Sequence, residues 1–203
     1  MVKRNWVTAI ACIALFSSML NAVLVREVMT SVQQLRTTTS LEIPQASSRQ
    51  ATDPIQDRKI ALQRGILQRY RTDPVIVEHV VNVAHKYEHP DFPRATDILA
   101  LVGIESGWNP FAKSNLEDDP AIGLTQIRPI VWKKMISSPA ELYVIDNQIK
   151  YAAMILRQNY IKLKTKDAAV IAYNVGIGAY LESAFTPDFL NRFRSEVIKL
   201  SKL

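Results

Sequence analysis

One carboxylate interrupts an apolar stripe that has helical spacing. Apolar side chains lie three, four and seven positions before Glu105, namely Val102, Leu101 and Ile98. Residues at these intervals share one face of an α-helix. Gly107 favours a helix end, and Pro110 disfavours continuation. The pattern therefore predicts a helix from Arg94 to Ser106, with Glu105 in its last turn and facing the interior.

The predicted position of Glu105 has a chemical consequence. Burial disfavours the charged form of a carboxyl group, and so does the negative end of a helix dipole. Both effects raise the pKa of Glu105, and a carboxylic acid that stays protonated near neutral pH is suited to general acid catalysis. A structural Glu paired with a buried Arg or Lys explains the same stripe. The stripe alone does not choose between these two interpretations.

The rest of the chain carries similar helical periodicity. It predicts six helices, over Arg58–Arg71, Val75–Tyr87, Arg94–Ser106, Gln148–Tyr160, Lys166–Tyr173 and Phe189–Leu200. The run Val75–Val77 is also compatible with a strand, but Pro74 before it favours a helix start, with Thr72 or Asp73 as the cap. No pair of alternating strands is found, so the sequence predicts an all-α fold.

Size and charge limit the classes of protein to which the chain can belong. Its 203 residues suit one domain with an appendage rather than two full domains. The net charge of +6 favours an anionic partner, such as a wall polymer, a lipid surface or nucleic acid, although general solubility explains it equally well. Cys12 is the only cysteine, which excludes an intramolecular disulfide.

The N-terminal segment predicts export. Residues 6–25 carry no charge and follow Lys3 and Arg4, a length and charge pattern typical of a transmembrane helix with a cytoplasmic N-terminus. We interpret residues 1–29 as an uncleaved signal anchor, with a cleaved signal peptide as the alternative. Residues 30–57 are rich in Ser, Thr and Gln and predict a flexible tether. Residues 58–203 then form the helical domain.

Three motifs in order resemble a known family. They are Glu105-Ser106-Gly107-Trp108-Asn109-Pro110 with Lys113-Ser114 after it, Gly123-Leu124-Thr125-Gln126-Ile127, and Ala172-Tyr173-Asn174-Val175-Gly176. This set resembles the soluble lytic transglycosylase (SLT) family of peptidoglycan-cleaving enzymes, which are similar to goose-type lysozyme. The resemblance covers about Val75 to Phe193 and implies a lysozyme-like helical domain.

The resemblance implies a site with one catalytic carboxylate and no cofactor or metal. By analogy, Glu105 protonates the bond between N-acetylmuramic acid and N-acetylglucosamine, and then deprotonates the C6 hydroxyl that closes a 1,6-anhydro ring. The family's substrate-binding positions correspond here to Ser106, Ser114, Gln126, Tyr173 and Asn174. In the family, the Tyr hydroxyl lies close to the catalytic Glu, where it can hydrogen-bond the carboxyl group.

The chain departs from the family pattern at several positions. Thr125 replaces a Met, which removes a flexible apolar side chain from the expected sugar subsite. Arg128 adds a cation that is positioned to contact a peptide carboxylate. The loop 115–120 is longer and more acidic than the family's turn, and a carboxylate there is an alternative activator of water. Gln148 replaces an Asn, although the neighbouring Asn147 leaves the register open.

The sequence thus predicts a membrane-tethered lytic transglycosylase. We expect peptidoglycan glycan strands as substrate, the membrane as a partner through the N-terminal helix, and no nucleic acid. The expected location is the periplasmic side of a bacterial inner membrane, or the exterior after cleavage. A secretion system, conjugation apparatus or phage particle is a further expected partner. The alternatives are a hydrolysing muramidase on the same fold and a non-catalytic wall-binding assembly module.

Overall fold

A computed structural model describes Thr30, Gln33 and residues 53–203 of the chain. The predicted anchor, residues 1–29, lies outside the described residues, as does most of the predicted tether. Thr30 and Gln33 are helical and exposed, and they belong to a unit, Met1–Leu41, that is distinct from Glu42–Leu203. Within the described residues, no helix has the length and apolarity that crossing a membrane requires.

Residues 53–203 contain seven α-helices and one 3-10 helix. They are α1 Pro54–Arg69, α2 Pro74–Tyr87, α3 Ala95–Ser106, the 3-10 helix Pro139–Tyr143, α4 Ile145–Leu163, α5 Lys166–Val175, α6 Ile177–Leu181 and α7 Asp188–Ser201. Over this range, β pairing is limited to two isolated bridges within 113–127. The prediction of an all-α domain is therefore confirmed.

Helix α1 begins at Pro54 rather than at the predicted Arg58. The Asp53 carboxylate accepts a hydrogen bond from the backbone N–H of Ile55 at 3.0 Å, and Pro54 occupies the first helical position. Both are helix-start signals, so the helix extends into the segment predicted as tether. The same arrangement starts α2 as predicted, where Asp73 accepts from the Val75 N–H at 2.9 Å.

Helix α3 lies at the centre of the domain. Its sequence is apolar on nearly every side, and seven of its first eight residues are buried: Ala95, Asp97, Ile98, Leu99, Ala100, Leu101 and Val102. A helix that is apolar all round needs neighbours on every side. Helices α2, α4 and α7 supply them. The stripe predicted on Ile98, Leu101 and Val102 is therefore confirmed as core.

The chain leaves α3 through two residues in the left-handed region. Gly107 has φ of +59° and Trp108 has φ of +70°. Trp108 is almost fully buried, its ring lies 6.2 Å from the Tyr70 ring, and its carbonyl accepts a hydrogen bond from the Thr72 hydroxyl at 3.2 Å. The loop between α1 and α2 thus fixes the C-terminal end of α3, where Glu105 lies.

A polar cluster holds the same end of α3 against α7. The Tyr70 hydroxyl lies near the buried Glu196 carboxylate, which pairs with Arg69 at 3.3 Å. Burial of Tyr70, and then the negative charge of Glu196, raise the pKa of the Tyr70 hydroxyl to about 12. A side chain at Gly103 would meet this hydroxyl at 2.6 Å, so the glycine allows the close approach.

Candidate active site

Glu105 lies in the last turn of α3 and lines a cavity of about 310 Å³. The side chain is partly buried, and no hydrogen bond to its carboxyl group is found within the described residues. Burial raises the pKa of Glu105 to about 7, and the positive charge of Arg192 on α7 opposes the rise. The carboxyl group therefore keeps its proton to a higher pH than an exposed glutamate does, as a general acid requires.

Residues of the segment 121–128 line the same cavity as Glu105, and two residues at positive φ shape this segment. Gly123 has φ of +73° and Gln126 has φ of +50°. A side chain at Gly123 would come within 2.2 Å of the Gln148 amide, so only glycine fits there. Gln148, almost fully buried on α4, accepts from the Leu124 N–H at 2.6 Å and donates to the Leu142 carbonyl at 2.7 Å.

Thr125 does not supply cavity wall, contrary to the expectation from the family's Met. Its side chain is fully buried, and its hydroxyl donates to the Gln148 carbonyl at 3.2 Å. Among the described residues, Ala121 and Gln126 line the cavity and Thr125 does not. Exchanging Met for Thr at this position therefore adds a hydrogen bond inside the fold, and the sugar-binding surface is formed by its neighbours.

Gln126 lines the cavity, as predicted for a substrate-binding residue. Its Nε2 donates to two backbone carbonyls, those of Ala112 at 3.1 Å and Gly123 at 2.9 Å. These bonds fix the orientation of the amide. Its Oε1 makes no hydrogen bond within the described part of the chain, so an acceptor at the cavity remains available to a ligand N–H.

Tyr173 and Asn174, near the C-terminal end of α5, also line the cavity. The Tyr173 hydroxyl donates to the Thr125 carbonyl at 2.8 Å, and not to the Glu105 carboxyl group. Burial, and then the negative charge of Glu105, raise the pKa of Tyr173 well above its usual value. The phenol is therefore within electrostatic reach of Glu105, and Asn174 beside it is exposed to solvent.

The two predicted serines do not line the cavity. The Ser106 hydroxyl donates to the carbonyl of Val102 at 3.2 Å, one turn earlier in α3. The Ser114 hydroxyl accepts from the Ala121 N–H at 2.8 Å and joins the two ends of the acidic loop. In this structure, Ser106 therefore supports the helix end and Ser114 supports the loop base.

The carboxylates of the acidic loop do not line the cavity. Asp119 is buried, and its carboxylate accepts from the Ile130 N–H at 2.9 Å and pairs with Arg128 at 3.2 Å. Asp118 is exposed, and neither carboxylate lines the cavity. Among the described residues, Glu105 is thus the only carboxylate that does. No group of three or more metal-ligating side chains occurs in the described part of the chain.

Comparison with known proteins assigns the domain to a family. The model of the transglycosylase SLT domain matches residues 85–192, which is more than half of the chain. The chain belongs to the SLT family. No curated protein and no solved structure matches it. Family membership indicates a lytic transglycosylase type of activity on peptidoglycan, and every residue that lines the Glu105 cavity lies within the matched segment.

Gln148 holds the cavity wall of the SLT domain in place, a role that its local sequence does not indicate. Its two side-chain bonds span 24 and 6 residues along the chain, to Leu124 and Leu142. The available signal was a polar residue at a core-facing position of α4, a position type that Asn159 also occupies. The sequence also did not single out Val131 and Trp132, which complete the cavity lining from the irregular segment that follows Arg128.

We predict that Gly123→Ala destabilises the SLT domain more than Gly107→Ala does. Both changes place a side chain at positive φ, which costs about 1–2 kcal/mol. Only Gly123→Ala also displaces the Gln148 amide, and leaving buried polar groups unpaired adds about 1–3 kcal/mol. Nothing lies within 4 Å of a side chain added at Gly107. Denaturant unfolding of both variants measures the difference, and equal losses would contradict the close contact at Gly123.

Proposed function

We propose that this SLT domain is a lytic transglycosylase. In this proposal it cleaves the β-1,4 bond between N-acetylmuramic acid and N-acetylglucosamine, leaves a 1,6-anhydro-muramic acid end, and so opens or remodels the cell wall locally. The observation that carries the proposal is that Glu105, the only carboxylate lining the cavity in the described part of the chain, has a pKa of about 7. Most glycosidases need a second carboxylate beside the scissile bond.

Glu105 acts first as an acid in this mechanism. Its proton passes to the glycosidic oxygen, the bond from that oxygen to C1 of muramic acid breaks, and an oxocarbenium-like centre forms at C1. The N-acetylglucosamine side leaves with the transferred proton on its hydroxyl. Glu105 is then a carboxylate, and the positive charge of Arg192 favours this form.

Glu105 acts next as a base. Its carboxylate removes the proton of the muramic acid C6 hydroxyl, and the C6 oxygen bonds to C1 and closes the 1,6-anhydro ring. This step restores the protonated acid and consumes no water. A site that excludes water suits the reaction, and the buried apolar side chains that line the cavity, Ile127 and Ala172 among them, support this.

The other cavity residues are proposed to bind the sugars. The free Oε1 of Gln126 is placed to accept from an N-acetyl N–H, and Asn174 offers both a donor and an acceptor. Tyr173 is proposed to fix the Thr125 backbone beside Glu105 through its bond to the carbonyl. Ser106 and Ser114 act through the backbone that they hold rather than by touching substrate.

Location and wider partners belong to the same proposal. The sequence of residues 1–29 supports export and anchoring at a bacterial inner membrane, with the SLT domain in the periplasm, or secretion if the segment is cleaved. A secretion, conjugation or phage assembly is the proposed setting for a wall-opening enzyme of this size. Purified SLT domain is proposed to require no cofactor.

We predict that digestion of purified peptidoglycan releases sugar ends lighter by one water than hydrolysed ends, because the C6 hydroxyl attacks in place of water. Mass spectrometry of the released fragments measures this. Glu105→Gln is expected to lower the rate at least about a hundredfold, since it removes a general acid and base. Asp118→Asn, which neutralises an exposed carboxylate outside the cavity, serves as the matched control and keeps the wild-type rate.

The same digestion separates the alternatives. Reducing ends would establish a hydrolysing muramidase and contradict the transglycosylase proposal. No release of fragments, from protein shown to be folded, would favour a non-catalytic wall-binding module. Full activity of Glu105→Gln would contradict the assignment of Glu105.

We also predict a pH dependence set by Glu105. The protonated form starts the reaction, so kcat/KM is expected to fall about tenfold per pH unit above pH 7. Arg192→Gln removes the positive charge that lowers the pKa of Glu105, and the fall should therefore move to higher pH. Arg194→Gln removes an equal charge from the same helix and serves as the control. Identical pH profiles for the two variants would contradict the role of Arg192.

A further inference from the structure

Among the described residues that line the Glu105 cavity, Arg128 is the one with a positively charged side chain. Its side chain is 47% exposed, and it follows directly on the wall segment that ends at Ile127. The charge that lowers the pKa of Glu105 comes from Arg192 instead. Arg128 and Glu105 thus line the same cavity, and Arg128 pairs with Asp119 there.

Asp119 holds the Arg128 side chain in a fixed orientation. The Arg128 Nε lies 3.2 Å from a carboxylate oxygen of Asp119 and 3.3 Å from its backbone carbonyl. Asp119 is itself fixed, because it is buried and its carboxylate accepts from the backbone N–H groups of Ile130 and Val131 at 2.9 and 3.4 Å. The long arginine side chain is thus ordered before any ligand binds, which lowers the entropy cost of binding.

The remaining donors of Arg128 are available to a ligand. A guanidinium group carries five N–H donors, and only the one on Nε contacts Asp119. The four terminal donors form a planar fork that matches a carboxylate. Neutral sugar rings offer no such partner. The muramic acid residue does, because its lactyl ether ends in a carboxylate when free, and in a peptide that carries carboxylates when substituted.

We propose that Arg128 binds a substrate carboxylate attached to the muramic acid at the cleavage site, and that it thereby selects charged wall strands over uncharged ones. This inference rests on the proposed function. The carboxylate comes either from the free lactyl group or from the attached peptide. Arg128 acts in binding and orientation, while the bond cleavage itself belongs to Glu105.

The test measures binding of intact strands, so that it does not depend on cleavage. Full-length protein carrying Glu105→Gln is titrated with peptide-bearing strands and with amidase-stripped strands, whose only carboxylates are lactyl. Each strand is also prepared with its carboxylates converted to neutral amides. We expect Kd to be about tenfold lower for a carboxylate-bearing strand than for its amide, and addition of Arg128→Gln to abolish this preference.

Arg94→Gln is the matched control. The Arg94 Nε also lies 3.2 Å from a carboxylate, that of Glu88, and its side chain is 53% exposed, but it lies at the N-terminal end of α3 and outside the Glu105 cavity. It removes the same charge from a protein of net charge +6. If Arg94→Gln also loses the preference for carboxylate-bearing strands, the preference arises from net charge alone and the proposal is overturned.

The outcomes separate this inference from the proposed function. If the protein prefers stripped strands with free carboxylates over their amides, the ligand of Arg128 is the lactyl carboxylate. If it shows the preference only among peptide-bearing strands, the ligand is a carboxylate of the peptide. An equal loss of affinity for charged and amidated strands in Arg128→Gln would mean a structural role and overturn the inference. Absence of binding to every strand would overturn it together with the proposed function. Failure of wild-type protein to cleave strands that it binds would contradict the function alone.

Discussion

The desolvated carboxyl group of Glu105, at the C-terminal end of α3, is the constraint on which the rest of the site depends. Burial and the helix dipole both penalise its charge, so the group keeps a proton at a pH where an exposed glutamate has lost it. Helix α3 can present such a group because its first two turns are packed on all sides and only its last turn reaches the cavity. Gly107 and Trp108, both at positive φ, then end the helix and redirect the chain.

The segment 121–128 of the cavity wall is ordered by polar contacts rather than by regular secondary structure. Gln148 bonds the backbone of Leu124, and Thr125 bonds Gln148 in return. Tyr173 then bonds the Thr125 carbonyl from the other side. A loop held at successive residues keeps its shape without a ligand, and such a preorganised wall is what placement of a sugar within reach of one carboxyl group requires.

The helices and the position of Glu105 could be predicted from the sequence, because helical periodicity indicates which side chains are buried. The stripe that ends at Glu105 placed the acid correctly in the last turn of a buried helix. The contacts of hydroxyl and amide groups could not be predicted in this way. Ser106 and Ser114 fit the family motif, yet each bonds backbone outside the cavity, and Thr125 pairs with Gln148 across 23 residues. Such pairings depend on how helices pack, which a local pattern does not record.

Direct titration of Glu105 tests the central claim most sharply. Carbon-13 NMR of protein labelled at glutamate side-chain carboxyl groups follows each of them with pH, and the Glu105→Gln variant identifies the resonance. Glu105 is predicted to titrate with a pKa of about 7, well above the ordinary value for a glutamate side chain. A value near 4.5, the ordinary one for glutamate, would mean that the carboxyl group is charged at neutral pH and would contradict its role as the single general acid.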